Sequence, residues 1–152
     1  SLTENCLITA EHRMKLSKRG LIDYRISKNL SDRIIKKLDV RTGGSDALAR
    51  SLSGGNLQKF VIGRELIQKP KIFIVNQPTW GVDAAAASSI RQQILDLAKD
   101  GTAVIVISQD LDELLEISDV FCALVGGQLS SPENTNELNP SRIGMLISNS
   151  IQ

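Results

Sequence analysis

Aromatic side chains are almost missing from this 152-residue chain: Tyr24, Phe60, Phe73, Trp80 and Phe121 are the whole set. Five scattered rings make no stacking platform for single-stranded nucleic acid. Cysteine is as sparse. Cys6 and Cys122 lie far apart in apolar surroundings, which reads as two buried free thiols of a reducing compartment and not as a disulfide or ligand pair. His12 has no cysteine or second histidine nearby, so it is expected on the surface and no metal centre is expected. The longest apolar runs are about five residues, far short of the roughly twenty that cross a bilayer. The opening "SLTENCLITAEHR" carries two acids and no long apolar run, unlike a signal peptide.

What is present fits a soluble globular domain: 41% hydrophobic and 23% charged residues, in a chain long enough for a real core. The net charge of +1 hides an asymmetry. Residues 1–41 hold ten Lys/Arg against five Asp/Glu, giving +5, and the remainder eight against twelve, giving −4. A basic segment suits nucleic acid or anionic lipid. In "DRIIKKLDV", however, the charges alternate with acids and apolar residues, as on a solvated helix face.

Leu30, Ile34, Ile35 and Leu38 fall at helical spacing, predicting a helix over 27–38 capped by Ser27 or Ser31. "RTGGSD" at 41–46 is a loop. Residues 54–69 read as a second helix stopped by Pro70. There the grammar changes. "IFIVN" at 72–76 reads as a strand buried on both faces, "AAAASSIRQQILDLAK" as a helix ended near Gly101, and "AVIVI" at 103–107 as a second buried strand. Strand, helix, strand over this length is a βαβ unit with parallel strands. A short helix at 111–117, a hairpin turning at Gly126-Gly127 and a helix over 140–148 complete the chain. The predicted organisation is a helical part, 1–69, and an α/β part, 70–152, with too few strands for a complete doubly wound sheet.

"SLSGGNLQKF" at 51–60 carries the most specific chemistry. Ser53, Gly54, Gly55 and Asn56 stand where a helix begins, and free N–H groups with the helix dipole there make an anion site. The glycines let backbone approach a phosphate closely. Taken alone, the tetrapeptide also reads as a plain helix cap with a flexible lead-in. Polar residues at the carboxyl ends of parallel strands line the ligand crevice of an open α/β sheet. Asn76, Gln77 and Gln109 are therefore expected to converge, with Asp83 on a nearby turn. Trp80 either packs beneath that turn or faces a partner domain, with packing the favoured expectation.

"LSGGN", then a strand into "NQPTWGVD", then "VIVISQDLDE" resembles the nucleotide-binding domain of an ABC transporter across residues 52–110. "LSGGN" resembles the signature motif, "IFIVNQP" the Walker B strand, "WGVD" the D-loop and "ISQD" the switch-histidine loop. "PTWGVD" with "LSGGN" is similar to the tandem ATPases that import simple sugars and nucleosides, and "SLTENCLI" resembles the start of their helical subdomain. The resemblance implies an α/β fold: a partial P-loop NTPase (RecA-like) core with an ABC helical subdomain at 1–69 and the C-terminal part of the core at 70–152, in the second half of a tandem polypeptide. It further implies ATP and Mg²⁺ as cofactors of the full-length protein. The implied partners are a second nucleotide-binding domain and transmembrane permease subunits, at the cytoplasmic face of the inner membrane, with no nucleic acid.

The departures carry as much information. No GxxxxGK[ST] occurs in the chain, so the phosphate-cradling lysine is absent and the chain alone is expected neither to bind ATP tightly nor to hydrolyse it; such a loop is expected about seventy to a hundred residues upstream of Ser1. Asn76 stands where the family pattern has a magnesium-supporting Asp, Gln77 where it has the Glu that polarises water, and Gln109 where it has the phosphate-sensing His. A neutral amide attracts Mg²⁺ without charge, and Gln77 takes no proton as a general base, although it can still orient water. The implied function is the ATP-binding subunit of an importer with a degenerate local site and a signature (Ser53, Gly54, Gly55, Asn56) acting in trans. The rival readings are a non-transport ABC ATPase acting on nucleic acid or ribosomes, suggested by the basic first part, and a non-catalytic regulatory domain. Missing neighbour strands are also expected to let the chain self-associate.

Overall fold

Leu2–Ala10 forms helix α1 behind a capping box, in which the Ser1 hydroxyl accepts from the Glu4 amide at 3.2 Å and Glu4 reaches back to the Ser1 amine. The computed structural model describes residues 1–148. They divide into two compact units, Ser1–Ile107 and the residues from Ser108 onward. The passage from helices to α/β alternation at residue 70 is thus a change of element type inside the first unit, not a boundary between compact bodies.

In the first unit a short ladder of β1 (Ser17–Lys18) with β2 (Leu21–Ile22) leads into α2, Tyr24–Lys37. The cap of α2 is Asp23, whose carboxylate accepts from the Ile26 amide at 3.1 Å. Ser27 and Ser31, predicted as caps, are instead buried inside the helix. An ionised carboxylate at N-cap also favours the helix dipole, which neither serine does. Helix α3, Gly54–Leu66, packs on α2 through Gly63: a Cβ there would lie 2.8 Å from Cγ2 of Ile34. Leu2, Cys6, Leu30, Ile34, Leu38 and Phe60 close this helical core. Both cysteines are free; Cys6 is buried, with burial pushing its thiol up to about 11, and Cys122 is half-buried.

Strand β3 (Ile72–Asn76) pairs in parallel with β4 (Ala103–Ile107), from Ile72 beside Ala103 to Asn76 beside Ile107. Helix α4, Ala84–Lys99, makes the crossover between them and buries Ile90, Ile94 and Leu97. The predicted strand buried on both faces is corrected here. Phe73 and Val75 are buried, but Ile72, Ile74, Ile105 and Ile107 are 50–64% exposed. Strand periodicity places these four isoleucines and Asn76 on the opposite face, which no described element of the first unit covers. The continuous apolar run is written for a two-sided burial that the described elements of the first unit complete on one side only.

In the second unit α5 (Leu111–Ile117) is capped by Asp110, which accepts from the Glu113 amide. The expected hairpin forms between β6 (Leu124–Val125) and β7 (Gln128–Leu129), with Gly126 and Gly127 both at positive φ as a two-residue turn requires. It is flanked by β5 (Val120–Phe121) pairing with β8 (Glu133–Asn134). Helix α6, Pro140–Ser148, contacts β6 and buries Ile143.

Candidate functional site

Ser53 is the N-cap of α3, yet its side chain accepts from no backbone N–H of the first turn. The hydroxyl oxygen instead accepts from Asn56 Nδ2 at 2.9 Å, while Asn56 Oδ1 accepts from the Arg41 amide at 2.8 Å. That second bond fixes which way the amide faces. With its oxygen occupied as an acceptor, Ser53 keeps its proton to donate outward, and Ser53 and Gly54 are exposed. The result is a hydroxyl donor beside the open N–H groups of a helix start, a geometry that takes an anion.

Gly55 faces the other way. A Cβ at that position would sit 2.6 Å from the Gly81 carbonyl oxygen, so the missing side chain is what lets the turn at 77–83 abut the first turn of α3. Gly81 itself has φ +70. Trp80, next to it, is 72% exposed; the expectation that it packs beneath the turn is corrected. Pro78 is the buried residue of this turn.

Asn76 ends β3 on the exposed face, in register with Ile107. Gln77 then turns the chain with φ +51, a left-handed conformation that costs a non-glycine residue about 1–3 kcal/mol and persists only where its surroundings impose it. Here they do. The Gln77 amide donates to the Ile107 carbonyl at 2.8 Å, and Gln58 Nε2 donates to the carbonyls of Gln77 at 3.1 Å and Pro78 at 3.3 Å.

Asp83 caps α4 by accepting from the Ala86 amide at 2.9 Å. That bond holds its carboxyl below the usual range, with Lys59 and Arg41 adding to the effect. The Lys59 ammonium is buried and lies 3.8 Å from the Asp83 carboxylate and 3.4 Å from the Asp39 carbonyl. Gln109 is exposed and belongs to the second unit.

The structure therefore joins Ser53 with Asn56, and Gly55 with the turn that carries Gln77 and Asp83. Two residues escaped the sequence reading: Gln58 and Lys59. Lys59 had a signal, because Gly55 and Gly63 are its i−4 and i+4 neighbours and no acid on the helix can take its charge. Among the described residues no group of three His, Cys, Asp or Glu side chains is disposed to hold a metal ion. The amides at the end of β3 bring no charge to one either, so the local residues do not fit Mg²⁺.

No family model matches the chain. It is 36% identical over 140 residues to the nucleoside import ATP-binding protein NupA of Lactococcus lactis subsp. cremoris, covering 90% of this chain and 28% of that protein. It is 38% identical over 132 residues to the galactose/methyl galactoside import ATP-binding protein MglA of Sodalis glossinidius, covering 87% of this chain and 26% of that protein. The chain thus spans less than a third of the length of these relatives. Among solved structures, the ATP-binding cassette MJ0796, a dimer in a post-hydrolysis state with ADP and Pi, matches with a TM-score of 0.73 at 22% identity, over 91% of this chain and 58% of that one.

Proposed function

This chain is part of an ABC-type nucleotide-binding domain, a partial α/β core of the P-loop NTPase fold, and we propose that it serves an importer of simple sugars or nucleosides by completing, in trans, the ATP site of an opposing domain. The observation that carries this reading is the exposed, uncapping Ser53 at the start of α3. Its hydroxyl proton, the open N–H groups of Gly54 and Gly55 and the remaining N–H of Asn56 are disposed to meet a terminal phosphate. ATP supplies the phosphoryl group; these residues orient it and balance its charge. The opposing domain supplies the phosphate loop that this chain does not contain. The exposed Trp80, beside Gly81, lies where a partner surface would bury it, and exposed tryptophan is a frequent interface anchor.

The local crevice holds water or nucleotide without driving hydrolysis. Gln77 orients water but takes no proton, and Asn76 beside it adds no charge. In the intact ATP-binding protein, Gln77→Ala is expected to lower phosphate release by less than about fivefold, whereas loss of the corresponding Glu in the opposing half removes the roughly 10²- to 10⁴-fold that a general base supplies. A larger loss at Gln77 would make this half the engine. The subunit would sit peripherally against permease subunits; no helix among the described residues is long and apolar enough to cross a membrane.

The open sheet supports a further expectation for residues 1–152 alone. A parallel sheet in which β3 and β4 pair with no further strand among the described residues, and which exposes four isoleucines, invites pairing with a second copy. Sedimentation velocity should show association that rises with concentration and is reduced by Ile74→Lys with Ile105→Lys. A monomer at every concentration would refute it.

A further inference from the structure

We infer that Gln58 and Lys59 are positioning residues: with the Gly55–Gly81 contact they clamp the 77–83 turn to the first turns of α3, so that the Ser53 face and the amide-lined end of β3 move as one body. The inference rests on the reading of Ser53 as a contact to ATP in trans.

Three independent contacts define the clamp, all within the first unit. Gly55 gives the closest approach, its absent Cβ leaving room for the Gly81 oxygen. Gln58 reaches across and binds the carbonyls of Gln77 and Pro78 at once. Lys59, one residue on, brings a buried ammonium to Asp83 at the far end of the same turn. The turn is thus gripped at both ends and in the middle. Gln77 persists in its left-handed conformation because Gln58 holds its carbonyl while Ile107 holds its amide. A strained residue fixed by a neighbour's side chain relaxes when that side chain goes. Lys59→Met removes the ammonium that meets the exposed Asp83 carboxylate at 3.8 Å and the Asp39 carbonyl at 3.4 Å. Any displacement of α3 by a phosphate at Ser53 must therefore shift Gln77, and a shift at Gln77 must move Ser53.

Hydrogen exchange in the intact ATP-binding protein tests this, read on peptides covering 51–57 and 77–83. Without nucleotide, Gln58→Ala and Lys59→Met should speed exchange across 77–83 by about tenfold, the Trp80 amide included, and Lys59→Arg should restore much of the protection. With ATP, the unaltered protein should be protected in both segments. The Gln58→Ala variant should keep protection at 51–57 and lose it at 77–83, with kcat falling about tenfold and KM for ATP changing by less than about twofold. A residue that only stabilised the fold would loosen both segments alike and leave the ATP-dependent pattern intact. Unchanged exchange across 77–83 in both variants overturns the clamp. If ATP protects neither segment of the unaltered protein while the variants still loosen the turn, the trans reading of Ser53 fails and the mechanical clamp stands without its role.

Discussion

Ser53→Arg in the intact ATP-binding protein is expected to cut ATP turnover by about 100-fold or more, with little loss of thermal stability. The magnitude follows from removing one preorganised donor at a site of developing charge, worth about 10²- to 10³-fold elsewhere, and from placing a long side chain where the phosphate would sit. The small effect on stability follows from the local geometry. An N-cap exchange usually costs about 1 kcal/mol because the cap bond is lost, but Ser53 makes no such bond, and its one contact is the donation from Asn56. The check is steady-state phosphate release beside a thermal melt. Turnover within about threefold of the unaltered protein would mean that this helix start faces no nucleotide.

The second large effect separates two adjacent glycines. Gly55→Ala forces a methyl group to 2.6 Å from the Gly81 oxygen. The obstacle is backbone, so a rotamer change brings no relief, and the overlap should cost about 1–3 kcal/mol. For a chain of this length that is a fall in Tm of about 2–4 °C for each kcal/mol. Turnover should fall with it, because the turn must retreat from α3. Gly54→Ala meets nothing within 4 Å and replaces glycine with a better helix former. Its stability should hold or rise by up to about 1 kcal/mol, while the added methyl crowds the anion face and slows turnover. Equal melting temperatures for the two alanine variants would refute the close approach.

How much of this was written in the sequence depends on the range of the interaction. Strands β3 and β4 and helix α4 were legible because their apolar periodicity is local, and the Gly126-Gly127 turn because only glycine enters that geometry freely. The start of α3 at Ser53 was legible because a serine and two glycines precede an apolar helical period; the role of Ser53 came from the resemblance and not from the tetrapeptide. The cap of α2 was misread: Asp23 precedes the obvious apolar period, and Ser27 and Ser31 resemble caps until their burial is seen. The open face of the sheet was invisible, since a run such as "IFIVN" reports what a strand is built to bury and not what its own chain provides. Gln58 and Lys59 were missed because their partners, Gln77, Pro78 and Asp83, lie some twenty residues away, beyond any helical spacing. Trp80 contradicted the habit of placing large rings inside: it is exposed, and Pro78 is the buried residue of the turn.

The parallel pairing of β3 with β4 also dictates an order of assembly. Parallel neighbours cannot meet through a tight turn, and Ile72 must wait for Ala103, about thirty residues later, before its first ladder bond can close. Until then α4 is a helix with no sheet to lie on. The α2–α3 contacts, such as Gly63 with Ile34 and Leu38, span slightly shorter separations and should form early, whereas α1 meets α3 across a far longer loop, as in the bond from Arg64 to the Asn5 carbonyl. The α2–α3 pair is then the early surface, the ladder from Ile72 to Ala103 closes a loop of about thirty residues upon it, and the return of α1 onto α3 closes a loop about twice as long.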